Sequence, residues 1–160
     1  WLLTKSLWVS DVNGLARYDC LQPHYNLVHR AEFERELMPL CADQGIAVIP
    51  YSPLAGGFLT GKYTRESGIP AGARGQESER IKSYRTERNF ALLDQMAAIG
   101  AAHGKTIAQV ALAWQLTQPV ITAPIIGART LEQFEEGLGA VGFRLSPGEM
   151  EALDEASAWS

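Results

Sequence analysis

The sequence has little of three features that would point to a membrane, a metal centre or a nucleic acid. No apolar run approaches the roughly 20 residues needed to cross a bilayer. The only two cysteines, Cys20 and Cys41, lack the close spacing of metal ligands. Basic residues are outnumbered, because 14 Lys and Arg stand against 18 Asp and Glu, giving a net charge of −4. We therefore expect no membrane segment, no metal site, no nucleic-acid partner, and two reduced, buried thiols.

What is present is the pattern of an α/β protein. Short apolar runs alternate with longer amphipathic ones, which is typical of βα units around a parallel sheet. Three strands are predicted, at residues 18–22, 46–50 and 120–126, each followed by a helix. The run 46–50 has no polar alternation, which predicts a strand covered on both faces. The polar, glycine-containing stretch 63–85 predicts a long loop, which is either functional or a solvated insertion.

The helices carry recognisable start and stop signals. Residues 32–44 predict a helix that is kinked by Pro39 and ended by Gly45, with Glu32, Glu34 and Glu36 on its solvated face. Three further helices are predicted to begin at a capping box, in which two side chains three residues apart satisfy exposed backbone donors. The pairs are Thr106 with Gln109, Thr130 with Gln133, and Ser146 with Glu149.

Three motifs follow one another along the chain. Gln22, Tyr25, Asn26 and Arg30 have the spacing Q-x-x-Y-N-x-x-x-R. Residues 51–63 read Y-S-P-L-A-G-G-F-L-T-G-K-Y, and residues 124–130 read P-I-I-G-A-R-T, followed by Gln133 and Glu136. From about Leu7 onward the chain resembles the aldo-keto reductase family, in the branch of bacterial general oxidoreductases and potassium-channel β subunits. The resemblance implies a (β/α)8 TIM barrel, of which residues 1–160 would form only the carboxy-terminal strands and helices.

The resemblance also implies NADP bound at the carboxyl ends of the strands. Gln22 would bond the nicotinamide carboxamide, and Tyr51 would stack on the nicotinamide ring. The pyrophosphate would lie against Ser52, Pro53, Leu54, Ala55, Gly56, Lys62 and Arg74, and the adenosine against Gly127, Arg129, Gln133 and Glu136. Barrel phosphate sites commonly use the loops after the last two strands and a helix amino terminus, which favours the same loops independently.

Two departures from the family pattern limit what this chain is expected to do. Gly137 stands where the family usually has an Asn that contacts adenine. The family's catalytic tetrad of Asp, Tyr, Lys and His has no counterpart in this sequence, and His24, His29 and His103 are expected to be surface or structural residues. No catalytic residue is therefore predicted here. We expect the tetrad to lie upstream of Trp1 and the chain alone to be inactive.

The function implied by the resemblance is NADPH-dependent reduction of a small aldehyde or ketone by a cytoplasmic protein. A non-catalytic, cofactor-binding regulatory or interaction subunit is the alternative, and a structural half-barrel is a third. Simpler interpretations of individual residues also stay open. Tyr51 could be a packed aromatic, and Lys62 and Arg74 could be surface charges. Separately, the chain could form a homo-oligomer.

Overall fold

The computed structural model describes residues 1–66 and 78–159. Its elements in chain order are α1 (Leu2–Asn13), β1 (Cys20–Leu21), a π-helical turn (Phe33–Leu37) that continues into α2 (Met38–Gln44), β2 (Ala47–Val48), a 3₁₀ segment (Ala55–Thr60), α3 (Glu79–Tyr84), α4 (Glu87–His103), α5 (Ile107–Thr117), α6 (Leu131–Leu138) and α7 (Pro147–Ala156). This described part is mainly helical, with short strands. None of its helices combines the length and apolar character needed to cross a membrane.

The sheet is a short parallel arc with β2 in the centre. β1 pairs with β2 in parallel, with Leu21 opposite Val48. On the other side of β2, Ile121 forms a parallel bridge with Val48, and the Ile125 amide donates to the Pro50 carbonyl at 2.8 Å. This arrangement is consistent with part of a (β/α)8 barrel.

The third predicted strand, at residues 120–126, is not regular. Its pairing reduces to one bridge because the Val48 carbonyl accepts from the amides of both Thr122 and Ala123. The Val48 amide in turn donates to the Thr122 side-chain oxygen at 3.2 Å instead of to a backbone carbonyl. A side chain thus takes the place of one rung of the ladder.

The prediction that both faces of the run 46–50 are covered is wrong. Ile46, Val48 and Pro50 are buried, whereas Ala47 and Ile49 between them are only partly buried. Successive side chains of a strand point to opposite faces, so one face packs against the helices and the other stays partly open. The core on the packed face includes the fully buried side chains Trp114, Tyr25, Phe33, Phe58 and Val48.

Several helix boundaries agree with their sequence signals. Both bonds of the capping box are formed at Thr106 with Gln109 and at Ser146 with Glu149. Gly45 ends α2 in the left-handed conformation, with φ of 62°. Pro39 lies in the first turn of α2, directly after the wide π-helical turn. Proline has no amide to donate, so the expected irregularity is a wider turn before it.

The prediction that residues 63–85 form only a loop is wrong at its end. α3 occupies Glu79–Tyr84, and the Ser78 side chain accepts from the Ile81 amide at its start. Ile81 and Tyr84, three residues apart, are both buried. Two apolar residues at helical spacing are enough to anchor a helix this short through tertiary packing.

One of the two cysteines is also not buried as predicted. Cys41 is buried in α2, and burial, followed by the proximity of Cys20, raises the pKa of its thiol. Cys20 is exposed, and it lies opposite Ala47 on the partly open face of the sheet. Both thiols are free.

Two helices expose apolar side chains to solvent. On α1 these are Leu2, Trp8 and Val12, each more than 60% exposed. On and just after α6 they are Leu131, Phe134, Leu138 and Val141. In chain order, α1 precedes β1 and α6 follows the third segment of the arc.

Candidate functional site

The predicted cofactor residues follow the carboxyl ends of the parallel segments. Gln22 comes directly after β1, and it is exposed. His24 and Tyr51 form a parallel bridge, so the two chains remain in register beyond the strands. Because alternate residues share a face, Gln22 and Tyr51 belong to the open face of the sheet, opposite the buried Val48. The structure therefore brings the two predicted nicotinamide contacts to one surface.

Tyr51 presents its ring at this surface. It is 40% exposed. One ring face stacks on His24, with centroids 5.0 Å apart and planes inclined by 15°, and His24 stacks in turn on His29 at 3.9 Å. The alternative that Tyr51 is simply a packed aromatic therefore describes only part of its environment, because the ring is both stacked and exposed.

The loop after Tyr51 is held in an unusual backbone conformation. Ser52 and Ala55 have φ of 56° and 51°, which side-chain-bearing residues rarely adopt, and Gly56 and Gly57 follow with φ of 66° and 95°. Left-handed residues at functional sites commonly hold backbone groups in a fixed direction. The loop thus has four left-handed residues between Ser52 and Gly57.

Some of those amides are already paired. Ala55 donates to the Ser52 carbonyl at 3.0 Å, and Gly57 donates to the Leu54 carbonyl at 2.8 Å. The amides of Leu54 and Gly56 have no hydrogen-bond partner among the described residues, and Pro53 has no amide hydrogen. Among the predicted pyrophosphate residues of the loop, the amide of Ala55 is thus occupied, whereas those of Leu54 and Gly56 are without a hydrogen bond within the described part of the chain.

Of the two predicted cations, Lys62 lies beside the loop. The Lys62 side chain lies against Gly57, where an added Cβ would be 2.5 Å from its Nζ atom. Lys62 Nζ also lies 5.2 Å from the centre of the Tyr63 ring. This places a positive charge beside the loop. Arg74 lies outside the described residues.

α3 covers the other side of the loop. A Cβ added to Gly56 would lie 3.1 Å from the Ile81 side chain. Glycine at this position lets the helix approach the loop closely. α3 also brings Arg80 near His24 and Tyr84, where its charge acts on the pKa values of both.

The predicted adenosine residues lie around the start of α6. Three of the four are exposed, namely Gly127, Arg129 and Gln133, and the fourth, Glu136, is partly buried. Gln133 has a structural task, because its side-chain oxygen accepts from the Arg129 amide at 3.0 Å and its amide donates to the Thr130 side chain at 3.3 Å. Half of the predicted capping box is thus formed, because the Thr130 side chain accepts from the Gln133 amide, while the Gln133 side chain accepts from the Arg129 amide instead of the Thr130 amide.

The start of α6 also already carries a negative charge. The Glu132 carboxylate accepts hydrogen bonds from the Thr130 side chain and from its own amide, and these lower the pKa of Glu132. An anion at this helix terminus would compete with that carboxylate. Arg129 is therefore the stronger candidate for a phosphate contact.

Gly137, the residue that departs from the family pattern, has a packing role. A Cβ at this position would lie 2.9 Å from the Ile126 side chain. The glycine thus lets α6 pack closely on the segment that leads into residues 127–130. A larger side chain would require one of them to shift.

Three residues of the first motif, Tyr25, Asn26 and Arg30, have no role predicted from the sequence. In the structure they hold neighbouring residues in place. The Tyr25 hydroxyl donates to Glu34 at 2.7 Å, and Arg30 donates to the same carboxylate oxygen at 2.6 Å. Arg30 also lies 5.1 Å from the centre of the Trp114 ring. The third, Asn26, is fully buried and donates to the Ser52 carbonyl. The four-residue spacing of Arg30 and Glu34 was the available sequence signal.

The prediction that Glu34 is a solvated residue is wrong. Its carboxylate accepts from Tyr25, Arg30 and Trp159. Burial alone would raise the pKa of Glu34, but these three bonds outweigh it and the pKa is lowered. Glu32 and Glu36 are exposed as predicted.

Known proteins match this chain across nearly its whole length. The aldo/keto reductase family matches residues 8–158. The chain belongs to the aldo/keto reductase family. It is 32% identical to a versiconal hemiacetal acetate reductase of Aspergillus parasiticus, over 89% of this chain and 41% of that protein. It is 36% identical to an NADH-specific methylglyoxal reductase of Escherichia coli, over 86% of this chain and 41% of that protein.

A third relative is named as a channel subunit and not as a reductase. A putative voltage-gated potassium channel subunit beta of Schizosaccharomyces pombe is 37% identical, over 84% of this chain and 40% of that protein. The chain thus spans about two fifths of the length of these aldo/keto reductase relatives. The family resemblance and its branch were both predicted from the three motifs.

Proposed function

We propose that this chain forms the cofactor-binding side of an NADP-dependent oxidoreductase that reduces aldehydes or ketones. The observation that carries the proposal is the shared surface of Gln22 and Tyr51 beside the Ser52–Gly57 loop, with the amides of Leu54 and Gly56 and the Lys62 charge next to it. An exposed aromatic ring, an amide side chain and an anion-binding turn suit the nicotinamide and pyrophosphate ends of such a cofactor. The three parallel segments would be neighbouring strands of the family barrel.

The residues of this chain would bind and orient the cofactor. When bound, the nicotinamide would supply the hydride. Tyr51 would fix which face of the ring meets a carbonyl substrate, Gln22 would hold the carboxamide in the ring plane, and Lys62 would balance the pyrophosphate charge.

This chain offers no match to the family's proton donor. General acid catalysis contributes typically 10²–10⁴-fold, so we propose that the chain alone binds NADPH without reducing carbonyls. The cofactor choice is part of the proposal and depends on Arg129, because one relative is described as NADH-specific. A cytoplasmic location is proposed with it.

The test is a fluorescence titration of NADPH with the chain and with Tyr51→Ala. Aromatic contacts contribute on the order of 0.5–1.5 kcal/mol beyond burial, so the affinity should fall by several fold. Tyr51→Phe keeps the ring and should bind nearly as well as the unsubstituted chain. Equal affinity of Tyr51→Ala and the unsubstituted chain would show that Tyr51 does not stack on the cofactor. Steady NADPH oxidation with a carbonyl substrate would contradict the proposed inactivity of the chain alone.

A cofactor-binding interaction subunit is the second candidate. The exposed apolar side chains Leu131, Phe134 and Leu138 on α6 favour it, since such patches commonly mark contact surfaces. This candidate function predicts the same result in the NADPH titration, but it also predicts that the chain associates through this surface. Sedimentation of the chain with Phe134→Glu and with Leu138→Glu would distinguish the two, because only an interaction surface loses association on gaining charge.

A further inference from the structure

Three aromatic rings form a continuous stack at the mouth of the site. Tyr51, His24 and His29 lie face to face, with centroid distances of 5.0 Å and 3.9 Å and interplanar angles of 15° and 23°. Nearly parallel rings at these separations constrain one another's orientation. Tyr51 is the outermost member, and it is 40% exposed. One face of its ring is therefore supported by protein while the ring remains accessible.

His24, the middle ring, is held from the side by a buried amide. Asn26 Nδ2 lies 3.3 Å from His24 Nε2, and the same nitrogen donates to the Ser52 carbonyl at 2.9 Å. An amide nitrogen can only donate, so Nε2 must accept and the imidazole proton must sit on Nδ1. Asn26 thus fixes both the tautomer of His24 and the position of the residue that follows Tyr51.

His29 closes the stack on its inner side. Its backbone exchanges two hydrogen bonds with Asn26, at 3.2 Å and 2.9 Å. Its Nε2 atom lies 3.2 Å from the Glu32 carboxylate. The backbone of His29 is therefore held by the same residue that orients the His24 ring.

The surroundings keep His24 uncharged. Burial lowers its pKa most, His29 and Arg80 lower it further, Glu32 acts in the opposite direction, and the resulting pKa is about 4. A neutral imidazole stacks on the phenol without placing a fixed positive charge behind it. Such a charge would oppose an oxidised nicotinamide, which is itself a cation.

We propose that His24 is a positioning residue for cofactor binding. Stacked on one face of Tyr51, it fixes the phenol ring so that the opposite face can receive the nicotinamide. This inference rests on the proposed function, because it assumes that Tyr51 meets the cofactor. His24 itself would not touch the cofactor.

A double-mutant cycle tests this directly. NADPH affinity is measured for the unsubstituted chain, His24→Ala, Tyr51→Ala and the double variant. His24→Ala should weaken binding about two- to tenfold, which corresponds to losing one aromatic contact. In the Tyr51→Ala background it should cause no further loss. His24→Phe, which restores a flat ring, should recover most of the affinity, and His103→Ala serves as the control histidine.

A second readout is independent of the cofactor. Tyr51 ring protons should carry a ring-current shift from His24, assigned by comparison with Tyr51→Phe, and His24→Ala should remove it. The His24 inference alone is overturned if the unsubstituted chain binds NADPH but His24→Ala weakens binding equally with and without the Tyr51 ring. It is also overturned if the unsubstituted chain binds NADPH and His24→Ala leaves the Tyr51 resonances unchanged. Failure of the unsubstituted chain to bind NADPH overturns the proposed function and the inference together.

Discussion

The Asn26 side-chain amide donates a hydrogen bond to the Ser52 carbonyl across 2.9 Å and ties together the loops that follow β1 and β2. Asn26 is fully buried, and its side-chain oxygen accepts from the Val28 amide at 3.0 Å. One side chain therefore holds its own loop in shape and restrains the left-handed Ser52 on the neighbouring segment. The geometry of the pyrophosphate loop depends on a residue of another strand.

Asn26→Ala should lower both stability and cofactor affinity. It leaves the Val28 amide without its partner, which costs about 1–3 kcal/mol, and it removes one of the two hydrogen bonds that the Ser52 carbonyl accepts. Urea unfolding and NADPH titration measure the two effects. Asn13→Ala is the matched control, since Asn13 is exposed and bonds only within α1. Unchanged NADPH binding by a folded Asn26→Ala chain would contradict the role of this bond in the site.

Gly57→Ala should weaken cofactor binding by displacing Lys62. The added methyl would fall 2.5 Å from Lys62 Nζ, and the end of a lysine side chain moves easily. Gly14→Ala is the control, because Gly14 also has positive φ but nothing lies within 4 Å of its added Cβ. Both variants should lose about 1–2 kcal/mol of unfolding free energy from the left-handed backbone. If Gly57→Ala and Gly14→Ala bind NADPH with equal affinity, Lys62 is not a cofactor contact.

Arg129→Ala should reduce NADP affinity while leaving NAD affinity nearly unchanged. A charge-assisted contact to the additional phosphate of NADP corresponds to a loss of about tenfold. Arg144→Ala, another exposed arginine, should change neither affinity. Calorimetric titration with both cofactors measures the ratio. Equal losses for NADP and NAD would show that Arg129 does not read the phosphate.

Stability should decrease as the pH is lowered from about 6.5 to 4.5, and His24 should account for part of the decrease. The folded chain lowers the pKa of His24 to about 4 from 6.5, so within this window the unfolded state binds more protons. Above the unfolded-state pKa of 6.5, His24 costs no stability. At pH 4.5, its protonation in the unfolded state should have lowered the free energy of unfolding by about 1–2 kcal/mol. Chemical unfolding at several pH values measures it. His24→Phe should flatten the profile in this window, and an unchanged slope would contradict the lowered pKa.

Local signals predicted local structure well in this chain. The boxes at Thr106 and Ser146 and the terminal glycine Gly45 act within four residues of one another, so the sequence contains all the interacting groups. The motifs also led to the correct family and to the loops that approach one another. Helix boundaries, family membership and the choice of loops all depend on short segments and on their order along the chain.

Long-range partners could not be predicted in the same way. Glu34 reads as one of three spaced glutamates, yet its environment depends on Trp159, which is 125 residues away. Thr122 interrupts the third strand through a bond to Val48, and no periodicity encodes that contact. α3 was missed because it has only six residues and its stability comes from packing of Ile81 and Tyr84.

The wide turn at Phe33–Leu37 has a consequence for how this region can vary. A π-helical turn adds one residue to the helix, which changes the angular phase between its two ends by about 100°. With that phase, Glu34 reaches Tyr25 at one end while Cys41 is buried at the other. Deleting a single residue between them would rotate one end away from its neighbours. The number of residues in this segment is therefore more constrained than their identity.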